Sequence, residues 1–227
     1  VVAFTKCKYL FDQQKINFQK NLIEINSLLL KDTLGNSGIV SGKIHHHFFK
    51  DFDFENVRME TSKMLLLNTT KKDNNQFYGT VIGNALVTLE GPLTDMVMNI
   101  SGQPSVFDSS HIYLPTTDTK ESNNIDYIDF IKFGSEMDIN KKGSQTSNLT
   151  VNLNLVANPA CKIDVILDEE TGDIIKGEGN GRLNIRVGTM EPLTIRGRYE
   201  LTKGEYTFNF QTIVNRPFTL RRGTISW

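Results

Sequence analysis

From residue 149 to the end of the chain, apolar and polar residues alternate with a period of two. Val151, Leu153 and Leu155 alternate with Asn152 and Asn154, and Ile163, Val165 and Leu167 with Asp164 and, less strictly, Ile166. After the turn at 168–173 and three glycines, Gly177, Gly179 and Gly181, the pattern resumes. Leu183, Ile185 and Val187 then oppose Arg182, Asn184 and Arg186. Leu193, Ile195, Gly197, Tyr199 and Leu201 oppose Thr194, Arg196, Arg198 and Glu200. Tyr206, Phe208 and Phe210 follow, then Phe218 and Leu220, then Ile225 and Trp227, each set facing polar neighbours. Successive side chains of a strand point to opposite faces, so these seven segments predict half-buried antiparallel strands. A slip of one residue would turn every apolar side chain to the wrong face, which fixes the register.

The first two-thirds carry the same signal less strictly. Ile16 and Phe18, Ile23 and Ile25, Phe52 and Phe54, Val57 and Met59, and Val81, Ala85, Val87 and Leu89 all fit strands, with glycines between them. Residues 104–145 are different: polar, rich in Thr, Asp and Ser, with a proline at 115. That stretch predicts a loop excursion from the sheet. Within it, Ile125, Ile128 and Ile131 share a helical face and predict a short helix near 124–132. The expected organisation is a single β domain over 1–227, with 146–227 as its last strands. Because the alternation is still running at Trp227, the chain is expected to be a fragment of a larger protein.

Composition sharpens this reading. Of 227 residues only four are alanine, whereas asparagine and threonine number 21 each. Alanine is the best helix former and the other two are poor ones. A sheet with one apolar face and no helices to cover it must curl, pack on a second sheet, or hold something apolar. The 25 basic and 26 acidic residues leave a net charge of −1, without the basic footprint of a nucleic-acid binder. There is no run of 18 apolar residues for a membrane-spanning helix. Cys7 and Cys161 are too few for a disulfide framework and lack zinc spacing, so they read as free thiols.

Few motifs carry chemistry. In His45-His46-His47 the outer two share a strand face, but no third metal ligand stands at a recognisable spacing. Gly177-Glu-Gly179-Asn-Gly181 precedes a strand, not the helix a dinucleotide loop requires, and reads as backbone bending between strands. The acidic turn Asp168, Glu169, Glu170, Asp173 lacks calcium-loop spacing. Arg196, Arg198, Arg216, Arg221 and Arg222 read as a solvated outer face. The residues therefore predict no catalytic group, metal or cofactor. A membrane-barrel segment is disfavoured because aromatics, 9% of residues, form no paired girdles.

The end of the chain carries a more specific pattern. Leu193-Thr-Ile-Arg-Gly197-Arg-Tyr199 leads through Gly204-Glu-Tyr206-Thr-Phe208 to Arg216-Pro-Phe218-Thr-Leu220-Arg-Arg-Gly223-Thr-Ile225-Ser-Trp227. This resembles the C-terminal domain of the TamB family, the large envelope proteins of the AsmA-like group. Gly42 to Phe49, Leu65 to Thr69, Asn75 to Gly79 and Asn158 to Asp173 look like the form found in Bacteroidota. The resemblance implies a U-shaped, taco-like sheet with an apolar concave face. It also implies a non-enzymatic translocation and assembly module, anchored in the inner membrane and crossing the periplasm. Its partners would be a TamA-like Omp85-type outer-membrane protein and phospholipid or another acyl lipid. The alternative cargo is protein, with the domain assisting assembly or secretion. Groove candidates are the apolar residues of the C-terminal strands: Val151, Leu153, Leu155; Ile163, Val165, Leu167; Leu183, Ile185, Val187; Leu193, Ile195, Tyr199, Leu201; Tyr206, Phe208, Phe210; and Phe218, Leu220, Ile225, Trp227.

Overall fold

The structure, a computed structural model, describes residues 2, 5–11, 14–75, 77–115, 147–169, 171–189, 191, 194–210 and 214–226. All thirteen strands among them join one sheet. In chain order these are β1 (Asn17–Phe18), β2 (Leu22–Lys31), β3 (Ser37–His47), β4 (Lys50–Thr69), β5 (Tyr78–Pro92), β6 (Met96–Pro104) and β7 (Ser110–Pro115), followed by β8 (Leu149–Ala157), β9 (Cys161–Asp168), β10 (Asp173–Gly188), β11 (Thr194–Phe210), β12 (Val214–Leu220) and β13 (Gly223–Ser226). No helix is present among the described residues, and the 124–132 segment lies outside them. Ser110–Pro115, inside the stretch expected to leave the sheet from 104 onward, is strand β7.

Neighbours pair antiparallel except at one seam, where β6 runs parallel to β8 and β7 to β9. Parallel neighbours need a crossover connection, and residues 116–146 lie between the end of β7 and the start of β8. The pairings β5–β6–β8–β10–β9–β7 close into a six-membered ring. The ring arises because β6 and β7 pair in succession along β5, and β8 and β9 along β10. Each couple is one long strand broken by a short interruption, at 105–109 and at 158–160.

These breaks fall on one line across the sheet. Register shifts in β4 between Thr61 and Leu67 face Val81–Ala85 of β5. Beside them come the two interruptions, then the bulge at Glu178/Gly179 of β10, with Thr202 unpaired opposite in β11, and last the break between β12 and β13. Along this line the sheet folds into a U. Phe77, just before β5, and Leu89, near its end, pack on the same apolar cluster of Met96, Leu149, Val151 and Val187. Twelve residues of straight strand would hold them about 40 Å apart. One arm of the U therefore carries β6 and β8 and the other β7 and β9, while β5, β10 and β11 run through both.

Small residues line the fold: Gly83, Ala85, Gly102, Ala157, Gly179, Gly181 and Gly197. The glycines 177, 179 and 181 lie inside β10 rather than between strands, and their spacing of two puts all three on its inner face. The Tyr199 ring lies over them: a Cβ on Gly179 or Gly181 would come within 3.0 or 2.9 Å of it. An aromatic side chain over strand glycines shields the backbone they leave bare.

The first arm has a strained corner. His47 pairs with Lys50, so Phe48 and Phe49 form a two-residue hairpin turn, with φ of 51° and 58°. Both are well exposed. Such turns favour Asn-Gly, because bulky residues pay for φ above zero. His46 holds the turn: it is buried, its ring stacks on Phe49, and its Nδ1 accepts the Phe49 N–H at 3.2 Å. Replacing the pair by Asn-Gly is expected to raise stability by about 1 kcal/mol, read as a higher melting temperature. An unchanged or lower melting temperature would mean that the turn is not under strain.

Candidate functional site: an apolar groove

The inner face of the U is apolar and the outer face polar. On the outside, Asn152 donates to Asn99 at 3.0 Å and Asn184 to Asn154 at 2.8 Å, a ladder of amides across β6, β8 and β10. Arg186 pairs with Glu191, and Arg198 with Glu200, both exposed to solvent. On the inside, two clusters form. One, running from the bend into the second arm, contains Leu114, Leu155, Ala157, Ile163, Leu183, Tyr199 and Leu201. The other, on the first arm, contains Met96, Leu149, Val151 and Val187, with Phe54, Leu93 and Met98 against it.

Between the arms lies a cavity of about 130 Å³. Its walls are Val81, Ile112 and Leu114 on one side and Ile100, Val151 and Val187 on the other, with Ala85 and Gly102 at the bend. A second space, of about 20 Å³, lies among Ile163, Val165, Ile195, Tyr199 and Ile225. Tyr199 is 4% exposed, and its hydroxyl has no hydrogen-bond partner among the described residues. Burial pushes its ionisation above the ordinary tyrosine range. The groove therefore solvates neither charge nor polar groups, and what it can hold is hydrocarbon.

Most of the sequence-derived candidates come together here. Val151, Leu153, Leu155, Ile185 and Val187 line the larger cavity, and Ile163, Val165, Leu183, Ile195, Tyr199, Leu201 and Ile225 the smaller. Leu220 packs on the second-arm cluster. Beyond it Tyr206, Phe208 and Phe218 form an aromatic group, with the Tyr206 and Phe218 rings stacked at 6.1 Å. Phe218 is half exposed, so the apolar wall stands open at this edge. Leu167 is not brought in: it is exposed, and Ile166 beside it is buried. The register shift between Asp173 and Ile174 breaks strict alternation there. Leu193, Trp227 and the Phe210 side chain lie outside what the structure describes.

The sequence reading missed the other wall. Leu66, Leu67, Phe77, Val81, Ile100, Ile112 and Leu114 all line the larger cavity. Two of them lie in β7, inside a stretch too polar overall to read as sheet. The leucine run at 65–67 sits among bulges of β4, where alternation fails.

The remaining candidate chemistry is structural. His45 Nε2 meets Glu55 Oε2 at 2.5 Å between two half-exposed side chains of β3 and β4, and no metal-binding cluster occurs among the described residues. Cys7 and Cys161 are free and fully buried. Burial pushes the Cys161 thiol up to about 12, so it stays protonated and unreactive. Asp32 anchors the N-terminal half: its carboxylate accepts from the backbone N–H of Leu34, Asn36 and Leu65. Burial opposes its ionisation, but these donors and the Asn36 amide outweigh it and hold the carboxyl below its ordinary range.

A single curled sheet with no helix among the described residues, bent along a glycine line, apolar within and polar without, defines a protein of the curled β-sheet class. The TamB C-terminal domain model matches residues 26–227, and the chain belongs to that family, which places it in the cell envelope. No curated protein and no solved structure gives a significant match.

Proposed function

We propose that this domain conducts phospholipid through its apolar groove as part of a TamB-like envelope protein that spans the periplasm and works with an Omp85-type outer-membrane partner. The observation that carries this reading is the cavity between the arms, whose walls are almost wholly hydrocarbon from β4 to β10. Acyl chains find there the burial that helices supply elsewhere, while the headgroup stays at the open side of the U. Native mass spectrometry of the purified domain tests it: phospholipid should co-purify in defined stoichiometry. A domain that is free of lipid, and stays so after incubation with phospholipid vesicles, would refute the conduit.

A second reading has its own observation. Among the described residues nothing pairs with the outer edge of β12 and β13, where Phe218, Arg216 and Arg222 are exposed. An unpaired edge is a template for an added strand. In that reading the domain docks a client or partner protein there, and photo-crosslinks from 218–226 reach protein while charges in the groove are tolerated.

A further inference from the structure

Positive charge is unevenly placed along this near-neutral chain. Residues 174–227 hold nine of its 25 basic residues and four of its 26 acidic ones, a surplus of five where the whole chain carries −1. The kind of basic residue changes as well. Seven of the eight arginines fall between 182 and 222, whereas the 181 residues before them hold one arginine and 16 lysines. A guanidinium is a planar fork that meets phosphate with two hydrogen bonds, and an ammonium is a point charge.

The fold gathers these arginines on one side of the molecule. Arg182 of β10 lies directly opposite Arg198 of β11. Arg196, two residues back along β11, lies on the diagonal from Arg182. All three are exposed on the outer face of the first arm. Like charges directly opposite in a sheet repel, so this arrangement costs stability unless an anion meets it. Glu200 meets Arg198 at 3.2 Å, and Glu191 meets Arg186 with two bonds, at 2.7 and 3.0 Å. Arg182 and Arg196 have no acidic partner among the described residues.

The basic patch continues to the free edge of the sheet. Ser226 of β13 pairs with Arg198, and Arg216, Arg221 and Arg222 are exposed along β12 and in the turn to β13. Phe218 is half exposed on the same edge, where the apolar wall of the groove stands open. On the other side of Arg182, its partner Val156 of β8 is 42% exposed. Arginines interspersed with exposed apolar groups suit the boundary of an anionic bilayer. The guanidinium groups meet the phosphates there, and the apolar groups enter the headgroup layer. Such a bilayer also supplies the acyl chains for which the groove stands open beside the patch.

We propose that the arginine face of β10 and β11, with the free edge of β12 and β13, docks this domain on an anionic lipid surface. It rests on the lipid reading above and adds the surface that sets the groove against a membrane. The basic surplus draws this side toward the phosphates, while the preceding 173 residues, 16 basic and 22 acidic, are repelled from them.

The test is sedimentation of the purified chain with phosphatidylcholine vesicles, with and without phosphatidylglycerol. Wild type should bind the phosphatidylglycerol vesicles at low salt and lose most of that binding at about 0.5 M salt. It should bind phosphatidylcholine alone far more weakly. Arg182→Gln with Arg196→Gln should weaken binding to the anionic vesicles about thirtyfold. Lys8→Gln with Lys20→Gln removes the same charge from exposed positions far along the sheet, and should bind within about twofold of wild type. All four positions are exposed, so each variant should melt as wild type does. Equal loss in the two pairs would show a general response to net charge and overturn the docking face, as would a wild type indifferent to phosphatidylglycerol. Native mass spectrometry of the same samples separates this from the conduit. Phospholipid retained by a chain that ignores the vesicles leaves the conduit standing without the docking face. Vesicle binding by a chain that takes up no lipid brings down the conduit and leaves the arginine face as a membrane contact alone.

Discussion

Gly197→Val is expected to destabilise the domain by about 3–5 kcal/mol, adding backbone strain to overpacking in a site with no room. Gly197 has φ of 134°, a conformation that side chains resist, and a Cβ there would lie 2.2 Å from the Arg182 carbonyl oxygen. It also sits on the line where β11 bends with β10, opposite Leu183 at the centre of the second-arm cluster. The backbone cannot retreat without opening that cluster. For a domain of this size the loss should lower the melting temperature by about 10 °C. Two other glycines calibrate the effect. Gly35 has φ of 85° but nothing within 4 Å of a built Cβ, so alanine there should cost about 1 kcal/mol. At Gly223 the nearest atom is 3.9 Å away and φ is ordinary, so alanine should be neutral to within about 0.5 kcal/mol. A Gly197→Val melt that coincides with that of Gly223→Ala would mean the two strands do not approach as closely as described.

The same glycines show what the sequence could and could not convey. Alternation from Val151 onward identified the apolar face of β8, β10 and the first half of β11, because each keeps a strict period of two on one arm. It could not distinguish a bend from a turn. Gly177, Gly179 and Gly181, and the polar step Thr202-Lys203-Gly204, read as breaks between separate strands, yet β10 and β11 run through them uninterrupted. A hairpin turn and a fold line make the same local demands: small residues, an extra residue, a shift of register. Thr202 shows the ambiguity at one position. It is the unpaired residue that moves the inward positions of β11 from odd (Tyr199, Leu201) to even (Tyr206, Phe208), which looks in sequence like the start of a new strand. The first arm was harder still. In β4 three register shifts between Phe54 and Leu67 erase the period, so Leu66 and Leu67 have no legible facing although both line the cavity. The parallel seam was out of reach, since it depends on which strands lie side by side after 116–146.

Introducing a carboxylate at Ile185 should abolish lipid binding, and it tests facing and function together. Ile185 lies in β10 between Leu153 of β8 and Ile195 of β11, and its side chain lines the larger cavity. It is only partly buried, so an aspartate there keeps some contact with water and the sheet should still fold, at a lower stability. An acyl chain lying along the groove, however, would have to strip that water from the charge, and the apolar walls around Ile185 do not replace it. Phospholipid occupancy should therefore fall more than about tenfold, equivalent to more than about 1.4 kcal/mol of lost binding. The matching change one residue earlier, Asn184→Asp, puts the same charge on the outer face, where Asn184 sits exposed beside Asn154. It should leave lipid occupancy unchanged, because the sheet lies between that carboxylate and the groove. Equal loss in both variants would point to a general effect of charge or stability rather than to the groove. Retention in Ile185→Asp would remove the apolar wall as the site of lipid and leave the free edge of β12 and β13 as the functional surface.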